Sequence, residues 1–126
     1  MPLVRIDYLK GKPAGFGREV AEVVYGVMTE TINVPKNDNF QLIQEYESSM
    51  FVYDTSYLGV RRTDGLVYIQ ITLNEGRSVE LKKGLYKAIA ERLHQRLEIR
   101  HEDVFISLVE VKKENWSFGN GVAQYA

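Results

Sequence analysis

The sequence predicts an α/β sandwich, built from a tandem β-α-β repeat in which a four-stranded sheet carries two helices on one face. Alternating apolar residues mark the strands, and apolar residues spaced three and four apart mark amphipathic helices. The order strand, helix, strand occurs twice along the 126 residues. A chain of this length has enough bulk for one core, so we predict a single domain over residues 1–126.

The first unit covers about residues 2–47, with strands predicted at 2–9 and 39–46. Both strands alternate between the two faces of a sheet. The helix between them has one apolar face and ends before Pro35, since proline cannot continue a helix. Its apolar positions are Phe16, Val20, Val23, Val24, Val27, Met28 and Ile32.

The second unit covers about residues 67–112 and is followed by a tail, residues 113–126. The segments "LVYIQITL" and "VFISLVEV" are its predicted strands. Ser78 is the predicted N-cap of the helix between them, because its hydroxyl can accept a hydrogen bond from a free backbone N–H of the first turn. The predicted buried stripe of this helix is Leu81, Leu85, Ile89, Leu93 and Leu97.

A shift of 65 positions aligns the two units without a gap. The shift places five residues on identical partners: Ile6 on Ile71, Gly11 on Gly76, Asp38 on Asp103, Phe40 on Phe105 and Glu45 on Glu110. Because matching strand and helix boundaries coincide with these identities, we interpret the pattern as an internal repeat. Within each unit, a helical crossover predicts that the two strands are parallel.

The amino-acid composition argues against several classes of function. The 44% hydrophobic and 26% charged residues are typical of a globular protein, and a formal net charge of −1 without a long basic run argues against nucleic-acid binding. There is no cysteine for a disulfide or a thiolate metal cluster, and we predict no metal and no cofactor. No membrane span or signal peptide is recognisable, so we expect a cytoplasmic protein.

One face of the sheet carries the helices, and the other must also be covered. The strands place five apolar residues on this second face: Leu3, Tyr68, Phe105, Val109 and Val111. Because large exposed apolar surfaces mark association, we predict a homo-oligomer. The alternative is that the connection at 48–65 and the tail cover this face within one chain.

Short motifs spread along the chain resemble those of the tautomerase superfamily. They are the start "MPL", "VPKND" ahead of the second strand, "YDTSYLG" in the connection, "GRS" at the second helix and "NWSFGNG" near the end. The chain looks most like the malonate semialdehyde decarboxylase branch and the bacterial tautomerases near it. The resemblance implies a double β-α-β fold whose sheets pack into a trimer, with an active site at the N-terminal proline near a subunit boundary.

Pro2 is the candidate general base. Initiator methionine is removed efficiently when the next residue is small, so we expect a chain that starts with the secondary amine of Pro2. A free α-amino group has a reference pKa of about 7.7–8.0, and burial or a nearby cation lowers the pKa of an amine. Such a base can move a proton between a carbon beside a carbonyl and another position, which is keto-enol tautomerisation.

The resemblance assigns roles to four further residues. Arg77 is expected to bind a substrate carboxylate, although the decarboxylase has an arginine pair here and this chain has Glu75 in the first place. Asp38 matches an acid beside the family's proline, and a turn or capping role is the alternative because Asp103 repeats it. Trp116 and Phe118 are expected to form the aromatic wall of a substrate pocket, or else to pack in the core or an interface.

Taken together, these residues predict a tautomerase that isomerises a small 2-keto or 2-hydroxydienoate acid. A second hypothesis is a decarboxylase or hydratase that uses a protonated Pro2 and Asp38. A third is a noncatalytic trimeric binding protein, for which blocking the terminal amine has no effect.

Overall fold

The computed structural model describes residues 2–126, which form two β-α-β units in the predicted order. The strands begin and end within one residue of the positions predicted from the alternation. The removal of Met1 lies outside the described residues. The elements are β1 (Leu3–Leu9), α1 (Phe16–Thr31), β2 (Phe40–Tyr46), β3 (Val67–Asn74), α2 (Val79–Leu97) and β4 (Val104–Val111).

The sheet has the strand order β2-β1-β3-β4. Within each unit the two strands are parallel, as predicted, and the units join through an antiparallel pairing of β1 with β3. Consequently β1 and β2 begin at the same end of the sheet at which β3 and β4 finish. We call this the Pro2 end, since Pro2 immediately precedes β1.

The core lies between the sheet and the two helices, which confirms the predicted layers. Alternate residues of the central strands are fully buried, among them Ile6 and Ile69. Across the helices, Arg92 and Arg96 of α2 form ion pairs with Glu30 and Glu22 of α1. Within residues 2–126, neither helix is long and apolar enough to cross a bilayer.

The predicted stripe of α2 is only partly buried. Leu85, Ile89 and Leu93 are inaccessible to solvent, and Ser78 caps the helix by accepting a hydrogen bond from the Leu81 N–H at 3.2 Å. The prediction for Leu81 was wrong, because its side chain is 44% exposed. It lies in the first turn of the helix, and the packed part begins one turn later, at Leu85.

The second face of the sheet is covered in part by the connection between β2 and β3. Phe51 is buried against Tyr68, with ring centroids 5.2 Å apart, and the Tyr68 hydroxyl donates to the Val52 carbonyl at 2.6 Å. Further along the face, apolar side chains remain exposed. They are Leu3, Phe40, Leu42, Phe105 and Val109, and we call them the open face.

The two units also match in turn geometry. Gly11 and Gly76 both have positive φ, at 106° and 119°, a conformation that glycine adopts without steric cost. The preceding residues make the same bond, since the Lys10 N–H donates to the Tyr46 carbonyl at 3.0 Å and the Glu75 N–H to the Val111 carbonyl at 2.9 Å. The repeat therefore extends from the elements to individual backbone hydrogen bonds.

Asp103 holds the end of the sheet opposite Pro2. Its carboxylate is 2% exposed and accepts hydrogen bonds from the Thr63 N–H at 2.8 Å and the Thr63 hydroxyl at 2.6 Å. Arg100 also approaches it, at 3.4 Å. The side chain thus fastens the segment that leads into β3 to the start of β4.

We expect Asp103→Ala to lower the free energy of unfolding by about 2–3 kcal/mol, because the substitution removes the buried carboxylate that accepts both hydrogen bonds from Thr63. Urea unfolding at one fixed protein concentration measures this difference. Glu102→Ala is the matched control, since Glu102 is exposed and its ion pair with Arg100 at 3.2 Å is on the surface. The control should change stability by less than about 0.5 kcal/mol; equal losses in both variants would contradict the role of Asp103.

Candidate active site

Pro2 lies buried between the start of one strand and the end of another. The register pairs Leu3 with Phe40 of β2 and with Thr72 of β3. One residue earlier along the chain, Pro2 therefore stands beside the segment that enters β2 and beside the last residues of β3. Its position is set by the two central strands rather than by a loop.

Arg77 is held at the same end of the sheet by two backbone carbonyls. Its Nη1 donates to the Asn74 carbonyl at 3.1 Å and its Nη2 to the Ile32 carbonyl at 3.2 Å. These bonds join the end of β3 to the end of α1. A guanidinium has five N–H groups, so donors remain for a bound carboxylate.

The charges around Arg77 favour an anion there. Within residues 2–126, no carboxylate lies within ion-pairing distance of its guanidinium. The nearby acid Glu110 is paired with Lys82 at 2.8 Å, and this hydrogen bond holds the pKa of Glu110 below its usual range, with smaller contributions from the Gly76 N–H and the charge of Arg77. Arg77 thus keeps an unneutralised positive charge beside the end of β3.

The aromatic residues of the tail lie at this end too. The rings of Trp116 and Phe118 stack with centroids 5.2 Å apart and an interplanar angle of 16°. Tyr125 packs edge-on against Phe118 at 5.3 Å. The Trp116 Nε1–H donates to Oδ1 of Asn74 at 2.7 Å, which brings the stacked pair to the last residue of β3.

Asn74 is the site residue that sequence reasoning missed. Its backbone carbonyl accepts from Arg77 and its side-chain oxygen from Trp116, so it contacts two of the predicted site residues. A polar residue closing the apolar strand "VYIQITLN" was the available signal. The hydrogen bond to Trp116, 42 positions away, had no signal in the periodicity.

Asp38 lies two residues before β2 and is 4% exposed. Its repeat counterpart Asp103 hydrogen-bonds the segment that precedes β3. Asp38 occupies the matching place relative to β1, which Pro2 precedes. The structure therefore brings all five predicted residues, Pro2, Asp38, Arg77, Trp116 and Phe118, to the Pro2 end.

The histidines stand apart from this group, whereas Glu75 lies between Asn74 and Arg77 at the Pro2 end. Glu75 is exposed in the turn between β3 and α2. His94 and His101 lie at the opposite end of the sheet with ring centroids 4.6 Å apart. Across residues 2–126, no three metal-ligating side chains form a cluster.

Sequence comparisons find one family throughout the chain. Two family models described as "Tautomerase enzyme" match residues 38–119 and residues 2–61. The chain is 48% identical to the Probable tautomerase YusQ of Bacillus subtilis (strain 168) over 124 residues, which is 98% of each protein. It is 33% identical to Probable tautomerase YrdN of the same organism, over 99% of this chain and 96% of the relative.

Solved structures show the same architecture. A malonate semialdehyde decarboxylase described with decarboxylase and hydratase activities is 28% identical, with a TM-score of 0.89 over 98% of this chain and 95% of the other. A second malonate semialdehyde decarboxylase, inhibited by 3-bromopropiolate, is 32% identical with a TM-score of 0.90 over 98% and 93%. A fused 4-OT symmetric trimer shares the fold at 21% identity and a TM-score of 0.77 over 95% and 94%.

We expect Arg77→Lys to lower the free energy of unfolding by about 1 kcal/mol, because a single ammonium group does not reproduce the fork that bridges the Ile32 and Asn74 carbonyls. Urea unfolding provides the measurement. Arg92→Lys is the control, since Arg92 makes an exposed ion pair with Glu30, and its effect should stay below about 0.5 kcal/mol. An Arg77→Lys protein as stable as the wild type would show that the two carbonyl bonds do not hold the guanidinium.

Proposed function

The chain belongs to the tautomerase enzyme family, and we propose that it isomerises a small 2-keto or 2-hydroxydienoate acid with Pro2 as the general base. The observation that supports this proposal is the arrangement at the Pro2 end. A buried proline at the start of β1 lies at the same end of the sheet as the Arg77 guanidinium and the stacked rings of Trp116 and Phe118. A base, a cation for a carboxylate and an apolar wall are what this reaction requires.

Pro2 acts as a base only when Met1 has been removed. The nitrogen is then a secondary amine, whereas in a peptide bond it is an amide without a basic lone pair. Burial favours the neutral form of an amine, which is the form that accepts a proton. The proposed mechanism therefore requires both the removal of Met1 and the burial of Pro2 at the start of β1.

The reaction needs only proton movement. In the keto-to-enol direction, Pro2 takes a proton from the carbon beside the carbonyl, and the electrons of that C–H bond form the C=C bond. Protonated Pro2 then returns this proton to the carbonyl oxygen, so the free amine is regenerated, the product is an isomer and no cofactor takes part. Arg77 binds the carboxylate and stabilises the negative charge that develops on the enolate.

The stacked rings supply the apolar part of the pocket. Flat side chains such as Trp116 and Phe118 pack against the apolar part of a planar acid and exclude water from it. A small carboxylate is thus the proposed substrate class, with its charged end at Arg77.

A decarboxylase or hydratase acting on a 3-oxo or unsaturated acid is the second candidate. It is favoured by the burial of Asp38 at the Pro2 end and by the two malonate semialdehyde decarboxylases of similar fold. In this mechanism Pro2 stays protonated and polarises the substrate, while Asp38 assists by hydrogen bonding or by activating water. Glu75 stands where a second arginine would help to bind the acid, which favours the tautomerase.

We propose further that three copies associate through the open face, so that each active site lies near a subunit boundary. Support comes from the exposed apolar residues of this face. Burying these side chains stabilises the assembly in proportion to the apolar area that is removed from water.

We expect Pro2→Ala to reduce kcat/KM for phenylpyruvate enol-keto conversion by a factor on the order of 10² or more, which is the typical contribution of a positioned base. The chain is produced without an added N-terminal segment, and intact mass with N-terminal sequencing establishes the first residue of each sample. Pro13→Ala is the control, because Pro13 is exposed ahead of α1 at the opposite end of the sheet.

Retained Met1, or equal activity of wild type and Pro2→Ala, would overturn the role of Pro2 as base. The same samples, incubated with malonate semialdehyde, test the second candidate through release of carbon dioxide. Activity that appears only there and disappears in Asp38→Asn would favour the decarboxylase.

For the assembly, we expect light scattering to give a mass three times that of the 14.5 kDa chain. Leu42→Glu should lower this mass, because it replaces an apolar side chain of the open face by a charge that association would bury. Val79→Glu is the matched control, since Val79 is also an exposed apolar residue but lies on α2, in the layer opposite the open face. A wild-type chain that is monomeric, or a Leu42→Glu protein of unchanged mass, would argue against the trimer.

A further inference from the structure

Asn74 and its hydrogen-bond partner Trp116 both differ in residue type from the equivalent residues of the first unit. The shift of 65 positions pairs Asn74 with Leu9 and Trp116 with Phe51. In the second unit the two residues are joined by an N–H···O hydrogen bond of 2.7 Å. In the first unit the equivalent residues, Leu9 and Phe51, have no side-chain group that can form this bond.

The two aromatic residues are also held differently. Phe51 is buried among aromatic neighbours, with ring centroids 6.1 Å from Tyr46 and 5.2 Å from Tyr68. Trp116 is only half-buried, and it stacks on Phe118, which is itself exposed. Packing alone immobilises Phe51, whereas the indole of Trp116 has a directional hydrogen bond to the sheet.

Asn74 also lies next to the proposed chemistry. As the last residue of β3, it accepts a hydrogen bond from Arg77 through its backbone and from Trp116 through its side chain. The backbone bond does not depend on the identity of the side chain. A substitution at this position therefore releases the indole while the carbonyl that holds Arg77 remains.

We propose that the side chain of Asn74 is a positioning residue that sets the Trp116 indole against the non-reacting part of the substrate. This role rests on the proposed function. Asn74 acts on substrate binding, whereas Pro2 and Arg77 act on the chemical step. The expected kinetic signature is a change in KM with little change in kcat, since the indole contacts substrate and transition state alike.

Asn74→Leu, Trp116→Phe and the double variant form the test. The double variant installs the residue types that occupy the equivalent positions of the first unit, Leu9 and Phe51. We expect each single variant to raise KM for phenylpyruvate about fivefold, the size expected for one hydrogen bond, with kcat within about twofold. Because both changes remove the same bond, the double variant should raise KM no further than the more affected single variant. Effects that multiply in the double variant would overturn the proposal.

Fluorescence tests the same role without turnover. Trp116 is the only tryptophan of the chain, so its emission reports the environment of this one indole. We expect Asn74→Leu to shift the emission and to weaken binding of 3-phenylpropanoate, an unreactive carboxylate, by about fivefold. Asn74→Asp keeps the acceptor oxygen and should retain the wild-type emission.

These measurements separate the two proposals. A chain that does not isomerise phenylpyruvate but shows the emission shift and the weaker binding would contradict the tautomerase reaction and support the role of Asn74. Unchanged emission and binding in Asn74→Leu would overturn that role whatever the activity. If Asn74→Leu does not fold, as judged by circular dichroism, the smaller Asn74→Ala takes its place in both measurements, because it also removes the acceptor oxygen and leaves the indole of Trp116 unchanged.

Discussion

The antiparallel pairing of β1 with β3 is the constraint on which the rest of the structure depends. Each β-α-β unit places its own strands in parallel, but only this pairing sets one unit against the other. Its register, from Leu3 opposite Thr72 to Tyr8 opposite Val67, is stabilised by fully buried side chains of both strands. This pairing places the start of β1 beside the end of β3, where the turn into α2 begins. Pro2 and Arg77 therefore lie at the same end of the sheet.

The repeat creates two related ends of the sheet, and they differ in their chemistry. At one end the chain continues through Thr63 into β3, and Asp103 is satisfied by that segment. At the Pro2 end the strand begins beside Asp38. The cation differs as well, since Lys12, the counterpart of Arg77, lies over the ring of Phe16 at 5.8 Å. One architecture thus supports a structural fastening at one end and a candidate active site at the other.

Much of the fold and several residues of the candidate site were predictable, for identifiable reasons. The alternation in "LVYIQITL" and the capping hydroxyl of Ser78 are local signals, and both matched the structure. The exposure of Leu81 was not predictable, because the regular four-residue spacing of the apolar positions in α2 does not show where packing against the sheet begins. Asn74 was missed because its importance comes from a partner in the tail and an arginine in the next turn.

The sequence by itself determined the two units, the parallel pairing within each and the residue types needed for a base, a carboxylate clamp and an aromatic wall. These features follow from side-chain periodicity and from short motifs, which act over a few neighbouring residues. The tertiary structure decided that the units join antiparallel, that the connection covers Tyr68 and that the indole of Trp116 binds Asn74. Such contacts join positions far apart in the chain, and they form only when the buried faces of both units pack into one core.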